Sequence, residues 1–442
     1  MANKKSTKKS SQTGAKKSAQ TGAQRAVAAA EKAAKKNPKA FLAVVAVLLI
    51  VAIVAASCWY FLIYKKGGIP DAGKEPGGKD PVEIVGGAAE DILSADLSVH
   101  FLELGVANAG DCTLIKAGDT EVLIDAGAKS STAPTQVMLD YVAQYCTDGI
   151  LEYVVATHAH EDHIAGLVGQ ASGDTRTGFL YRYQIGTIIQ FSGHNTTSNI
   201  YNMYVEAVEY CSSRGTKVYS ALDCVNGTNG AQATFYLDEA QTISLTVLDQ
   251  KYYAQRASTE NNYSVCTLLS QKLGGEQTNH YLFTGDLEKA GEESLVASNP
   301  DLPHCVLFKG GHHGSSTSSN DVLLNKITPE NIAICTCAGT YEYAQKPTEE
   351  YPDRYLNTFP TQEAIDRMSK HTENIYITSL GILNEDYSTK GFTSMNGNIV
   401  FYYGKKEEEA EKSLKLYCSN NSVKLKDTEW FQANRTWNGA SG

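Results

Sequence analysis

No CxxC pair occurs anywhere in this 442-residue chain, which argues against a separate zinc ribbon. Charge is missing altogether from Ala40 to Tyr64, and acid is nearly missing before it: residues 1–39 hold ten Lys, one Arg and a single Glu. The remainder reverses that balance. Residues 67–442 carry 26 basic and 48 acidic side chains, a net of −22 that opposes non-specific binding to a polyanion, so a nuclease here needs a local basic groove.

The uncharged run is long enough to cross a bilayer as one helix over 40–64, with Trp59, Tyr60 and Tyr64 as interfacial anchors. A cleaved signal peptide has a shorter apolar region, although AAS at Ala55–Ser57 keeps that alternative open. The basic excess lies before the run and only Lys65 and Lys66 follow it at once, so the expectation is a single-pass protein of the cell membrane, N-terminus cytoplasmic and acidic domain extracellular. Residues 1–39 nearly repeat KKSSQTGA as KKSAQTGA and read as a disordered basic tail. A Gly/Pro-rich linker is expected over 65–94, a folded domain over 95–404, and a C-terminal extension over 405–442 with a charged helix and a hairpin carrying Trp430 and Trp437. Packing back on the domain is favoured for that extension over polymer binding.

From Leu97 on, VHFLELG, CTLIKAG, EVLIDAG, YVVAT and IGTIIQF read as strands, interleaved with the helical spacings PTQVMLDYVAQY and YNMYVEAVEYCSSRG. A second set runs from ATFYL to IAICTC, predicting two sheets with helices outside. Nine cysteines lie beyond the apolar run, an odd count, and Cys112, Cys266, Cys335 and Cys337 sit in apolar strand patterns that pack them as small hydrophobes.

Chemistry concentrates where YVVAT stops. THAHEDHIAG sets His158, His160, Asp162 and His163 in one turn, and imidazole and carboxylate are the ligands that zinc and similar divalent ions take. LFTGD ends a strand with Asp286, and FKGGHHGSS ends another with His312 and His313. Together these supply the bridging carboxylate and further imidazole of a two-metal site.

HAHEDH resembles the HxHxDH signature of the metallo-β-lactamase superfamily. More narrowly, FLELGVANAGDCTLI, VLIDAG, THAHEDHIAG, NNYSV, LFTGDLE, LFKGGHHGSS and IYITSLG follow the order found in the C-terminal hydrolase domain of ComEC-type DNA-uptake proteins. The resemblance implies an α/β fold, an αββα sandwich with two central mixed sheets, here preceded by the transmembrane helix. It implies that His158 and His160 bind one metal, that Asp162 and His163 bind a second with His313, and that Asp286 bridges them. Asp125 would orient an imidazole from behind. One or two divalent ions are expected, zinc first and manganese as the alternative. Such an ion acidifies bound water to a pKa of about 7; Asp162 or Asp286 would hold the resulting nucleophile, and His312 would stabilise charge on the substrate. Two departures stand out. The third imidazole for the first metal has one candidate, His194 in FSGHNTT, for which a substrate-facing or merely exposed role is the alternative. NTFPTQEA carries Phe359 where the ComEC-type pattern tends to have His.

The expected function is therefore an extracytoplasmic metal-dependent phosphodiesterase or nuclease, with a phosphoester or nucleic acid as substrate and the membrane as its other partner. The alternatives are hydrolysis of another extracellular ester or lactam, such as a choline-phosphate, teichoic-acid or lactone group, and a metal-binding module without turnover. No protein partner is deducible.

Overall fold

Alternating apolar runs lay down the first six strands, β1 (Leu97–Phe101), β2 (Cys112–Ala117), β3 (Thr120–Ala126), β4 (Ile150–Ala156), β5 (Gln184–Gln190) and β6 (Lys217–Ser220). Eight more follow: β7 (Thr234–Tyr236), β8 (Ile243–Val247), β9 (Thr267–Gly274), β10 (Gln277–Phe283), β11 (Leu307–Lys309), β12 (Ile332–Ala338), β13 (Ile375–Leu383) and β14 (Thr389–Ser394). The last two are β15 (Ile399–Tyr403) and β16 (Leu414–Cys418). This is a computed structural model that describes residues 88–127, 132–169, 176–340, 358–384, 389–403 and 414–439. The basic tail, the apolar run Ala40–Tyr64, most of the expected linker and the charged stretch 405–413 lie outside the described residues. Among the described residues, no helix is long and apolar enough to cross a membrane.

Two eight-stranded mixed sheets result, ordered β16-β15-β1-β2-β3-β4-β5-β6 and β14-β13-β12-β11-β10-β9-β8-β7. Each passes from an antiparallel part to a parallel block, β3 to β6 in the first and β10 to β13 in the second. Parallel neighbours need crossovers, and the chain uses them to bring helices onto the outer faces. One core holds the facing sides of both sheets together with Met138, Leu139, Ile164, Leu167 and Tyr204 from helices on the first. Phe101 and Phe283 meet across the sandwich with ring centroids 6.3 Å apart. A second core lies beyond the other sheet, where Leu295, Leu323, Leu324, Ile365 and Met368 cover β10 to β13.

The nine cysteines beyond the apolar run are all free thiols, eight of them buried. At the domain's start, Ala88–Leu93 is a short helix inside the stretch expected as linker, anchored by buried Ile92. The expected C-terminal hairpin is corrected: Leu414–Cys418 pairs with β15, and Glu429–Asn434 is a helix, because Thr428 caps Phe431 N–H and turns that segment away from an extended path.

Candidate metal centre

Parallel register decides where the chemistry goes. Strands β3, β4 and β5 end together, as do β10 and β11, while β12 runs on to Ala338, and the loops leaving those carboxyl ends face one another. Asp125 is the extra residue where β3 bulges against β2, since Cys112 pairs with Ala126 and Thr113 with Ile124. Its φ of 55° suits Asp better than most residues and re-aims the carboxylate out of the sheet's alternation. Thr157 then donates to it twice, from N–H at 2.8 Å and from the hydroxyl at 2.6 Å.

His160 starts the helix Glu161–Val168, which places Asp162 and His163 in its first turn. That helix leans directly on the end of β3. A Cβ at Gly127 would lie 2.0 Å from the Asp162 carbonyl carbon, and one at Gly166 would lie 2.5 Å from Ala126 O, so both approaches require glycine.

Asp286, buried at the end of the β10 loop, is the hub. Its Oδ2 lies 3.0 Å from His163 Nε2, 3.5 Å from His313 Nε2, 3.7 Å from His312 Nε2 and 3.9 Å from His158 Nε2. Each of these rings is steered from its other nitrogen. His163 Nδ1 donates to Asp125 Oδ2 at 2.7 Å, and His313 Nδ1 to Cys335 O at 2.9 Å. His312 Nδ1 meets the Thr317 hydroxyl at 3.1 Å, while His158 Nδ1 lies 3.1 Å from that of Thr157 and 3.4 Å from that of Ser264. Four Nε2 atoms are thereby left pointing at one carboxylate.

His160 sits at the rim with Nδ1 3.0 Å from His158 Nε2. Asp162, about a third exposed, reaches within 3.4 Å of His313 Nε2. The structure thus brings together His158, His160, Asp162, His163, Asp286, His312, His313 and Asp125. His194 is not among them: it is exposed, with Nδ1 on Thr196 O at 3.0 Å and its ring on Tyr201. Ser264 is the side chain that instead closes in behind His158 and accepts Asp286 N–H at 3.1 Å.

The donor set fits a divalent ion. His163 Nε2, His313 Nε2 and Asp286 Oδ1 are buried without a hydrogen-bond partner, the state expected of groups awaiting an ion. Two ligands of a tetrahedral zinc stand roughly 3.3 Å apart, and the Asp286–imidazole distances of 3.0 to 3.9 Å bracket that value. His158, His163 and Asp286 bring ligand atoms within 4.8 Å of one another, and so do Asp162, His163 and His313.

Charge is balanced by two residues that the sequence motifs contained but did not single out. Lys309 Nζ pairs with Asp111 Oδ2 at 2.5 Å, both side chains buried. Asp111 Oδ1 lies 3.4 Å from His313 Nδ1, so this pair forms the floor beneath the histidines. Burial lowers the pKa of His163 and His313, but Asp286 first, with Asp125 and Asp111 at His163 and with Asp111 at His313, outweighs it: His163 ends well above its usual value and His313 at about 10. At His158 and His312 burial prevails and both are pulled down. Phe359 is buried beside the histidine pair, its own ring 5.7 Å from that of His313 and 6.2 Å from that of His312.

The comparisons with known proteins agree in part of the chain. The family model of the metallo-beta-lactamase superfamily matches residues 105–169. Competence protein ComA of Neisseria gonorrhoeae is 36% identical over 102 residues, 23% of this chain, and the match spans only 14% of that relative's length. Among solved structures, the metallo-beta-lactamase fold protein YhfI of Bacillus subtilis is 11% identical with a TM-score of 0.35, covering 67% of this chain and all of that one. A possible metal-dependent hydrolase of Veillonella parvula is also 11% identical, with a TM-score of 0.31 over 67% of this chain and 98% of its own. The stretch 105–169 that matches this family model supplies Asp111, Asp125, His158, His160, Asp162 and His163 to the cluster.

Proposed function

We propose that this chain is a metal-dependent hydrolase of phosphodiesters, tethered to the membrane by Ala40–Tyr64 with the hydrolase domain outside the cell. The observation that carries the chemistry is the convergence of four imidazole Nε2 atoms on Asp286 Oδ2. A divalent ion bound there supplies Lewis acidity and an acidified water. With Lys309 committed to Asp111, the carboxylates of Asp125, Asp162 and Asp286 remain as anions around the cluster. Two divalent ions held there would turn that wall net positive, which would suit an anionic diester.

His312 is the residue best placed to meet the substrate. Thr317 engages its Nδ1, which leaves Nε2 facing the cluster and placed to donate to a non-bridging phosphate oxygen. Lactam hydrolysis is the weaker reading, because the cation of this cluster, Lys309, is buried and paired and so is not free to hold a substrate carboxylate. Similarity to a protein named for competence agrees with a nucleic-acid or related phosphodiester.

A fragment spanning residues 83–442 should, when loaded with zinc or manganese, cleave bis-nitrophenyl phosphate and leave a chromogenic cephalosporin intact; faster lactam turnover overturns the reading. His312→Ala should lower kcat with metal retained, and His313→Ala should lower both. Protease added to intact cells should release the acidic domain and spare the basic tail. Protection of the domain would reverse the topology.

A further inference from the structure

The C-terminal segment, for which the sequence offered no role, reaches the metal centre through one side chain. Arg435 is nearly buried, and its guanidinium brackets Phe359. Nη2 donates to Thr358 O at 2.9 Å and to the Thr358 hydroxyl at 2.8 Å, while Nε donates to Pro360 O at 3.0 Å. Two carbonyls on either side of one residue are thus held by a single planar fork, a task that an ammonium does not perform.

On its other side the bracketed segment is fastened to the histidine turn. Thr361 N–H donates to Gly314 O at 2.9 Å, Gly314 packs against Pro360 so closely that a Cβ would come within 2.5 Å of it, and the Phe359 ring lies against both His312 and His313. That turn needs outside support. His312 and His313 are consecutive non-glycine residues with φ of 47° and 53°, a left-handed pair that persists only where the surroundings impose it. The helix Glu429–Asn434 is docked in turn: Gln362 and Thr436 exchange two hydrogen bonds, and the Arg435 guanidinium also lies over the Trp430 ring at 5.1 Å.

We propose that Arg435 is a positioning residue of the metal centre, holding Phe359 and Pro360 so that they keep the His312–His313 turn in its left-handed form. This inference rests on reading the cluster as a metal site, and its primary readout is metal affinity rather than turnover. Zinc binding by the full chain in detergent is measured in competition with a chromophoric chelator. Arg435→Ala should weaken zinc binding about tenfold, the lower range for a residue acting behind a ligand. Millimolar methylguanidinium should restore the affinity, whereas Arg435→Lys should not. At saturating zinc, Arg435→Ala should lower phosphodiester kcat with KM nearly unchanged. Phe359→Leu, which leaves the Arg435 bonds in place, should weaken zinc binding in the same direction, and it serves as the test where Arg435→Ala does not fold. Wild-type zinc affinity in Arg435→Ala, or in Phe359→Leu in that second case, overturns the inference while leaving the metal centre standing. A wild-type chain that binds no divalent ion removes both.

Discussion

At the residue scale, the cluster is a set of imidazoles whose orientation is fixed from behind. Asp125 is the clearest such device, since it holds His163 Nδ1 by an anionic hydrogen bond while also accepting two bonds from Thr157. Asp125→Asn should keep the fold and lower zinc affinity by roughly ten- to a hundredfold, read by chelator competition. An unchanged affinity would remove Asp125 from the site. Protonation gives a second handle. In the metal-free chain His163 and His313 hold their protons, the latter to about pH 10, so a metal must displace them. Zinc affinity should therefore rise about tenfold per pH unit for each proton released, and calorimetry in buffers of different ionisation enthalpy should count between one and two. The sign for the metal-free fold is opposite: stabilisation from His313 is complete below its unfolded pKa of about 6.5 and is lost as pH climbs through about 10.

At the scale of elements, the loop 311–320 is held by a buried acid from a neighbouring helix. Glu292, in Lys289–Ser298, accepts from the N–H groups of Ser319 and Asn320 and from the Asn320 amide, capping the helix Asp321–Ile327 from outside. Arg367 answers from the other side by donating to the carbonyls of Ser316, Ser318 and Ser319. Glu292→Ala strands the buried Ser319 N–H and the half-buried Asn320 N–H and should destabilise the domain by about 3 kcal/mol in denaturant unfolding, with weaker metal binding at the adjacent His313. A stability loss under about 0.5 kcal/mol would show that the loop is held by something else. The sequence made HAHEDH, Asp286 and the histidine pair legible because each ends a strand whose alternation can be read locally. It did not disclose Glu292, Arg367 or the Lys309–Asp111 pair, because those contacts join residues tens to hundreds of positions apart and leave no local period. His194 failed to join the cluster for a similar reason: its loop turns to Tyr201 and Glu260, a tertiary choice that spacing does not encode.

At the scale of the whole molecule, the two-sheet architecture was legible from the order of strand and helix runs, whereas the neighbours within each sheet were not. β1 illustrates the gap. One of its edges pairs with β2, its successor, and the other with β15, which lies some 300 residues later, with Leu97 opposite Tyr403 and Phe101 opposite Ile399. Deleting residues 414–439 should remove β16 and Arg435 together, exposing the β15 edge. Such a chain should aggregate or bind metal weakly, whereas a well-folded monomer of full zinc affinity would show that the extension is dispensable.

The late partner of β1 also sets a timetable. A chain emerging from the ribosome or passing through a membrane delivers its first strand long before the strand that covers it. Until Ile399–Tyr403 arrives, β1 offers an open edge, and until Arg435 arrives the wall beside His313 is unlatched. A chain that stops short of this late segment carries the whole HAHEDH motif and should nonetheless bind zinc more weakly than the full one.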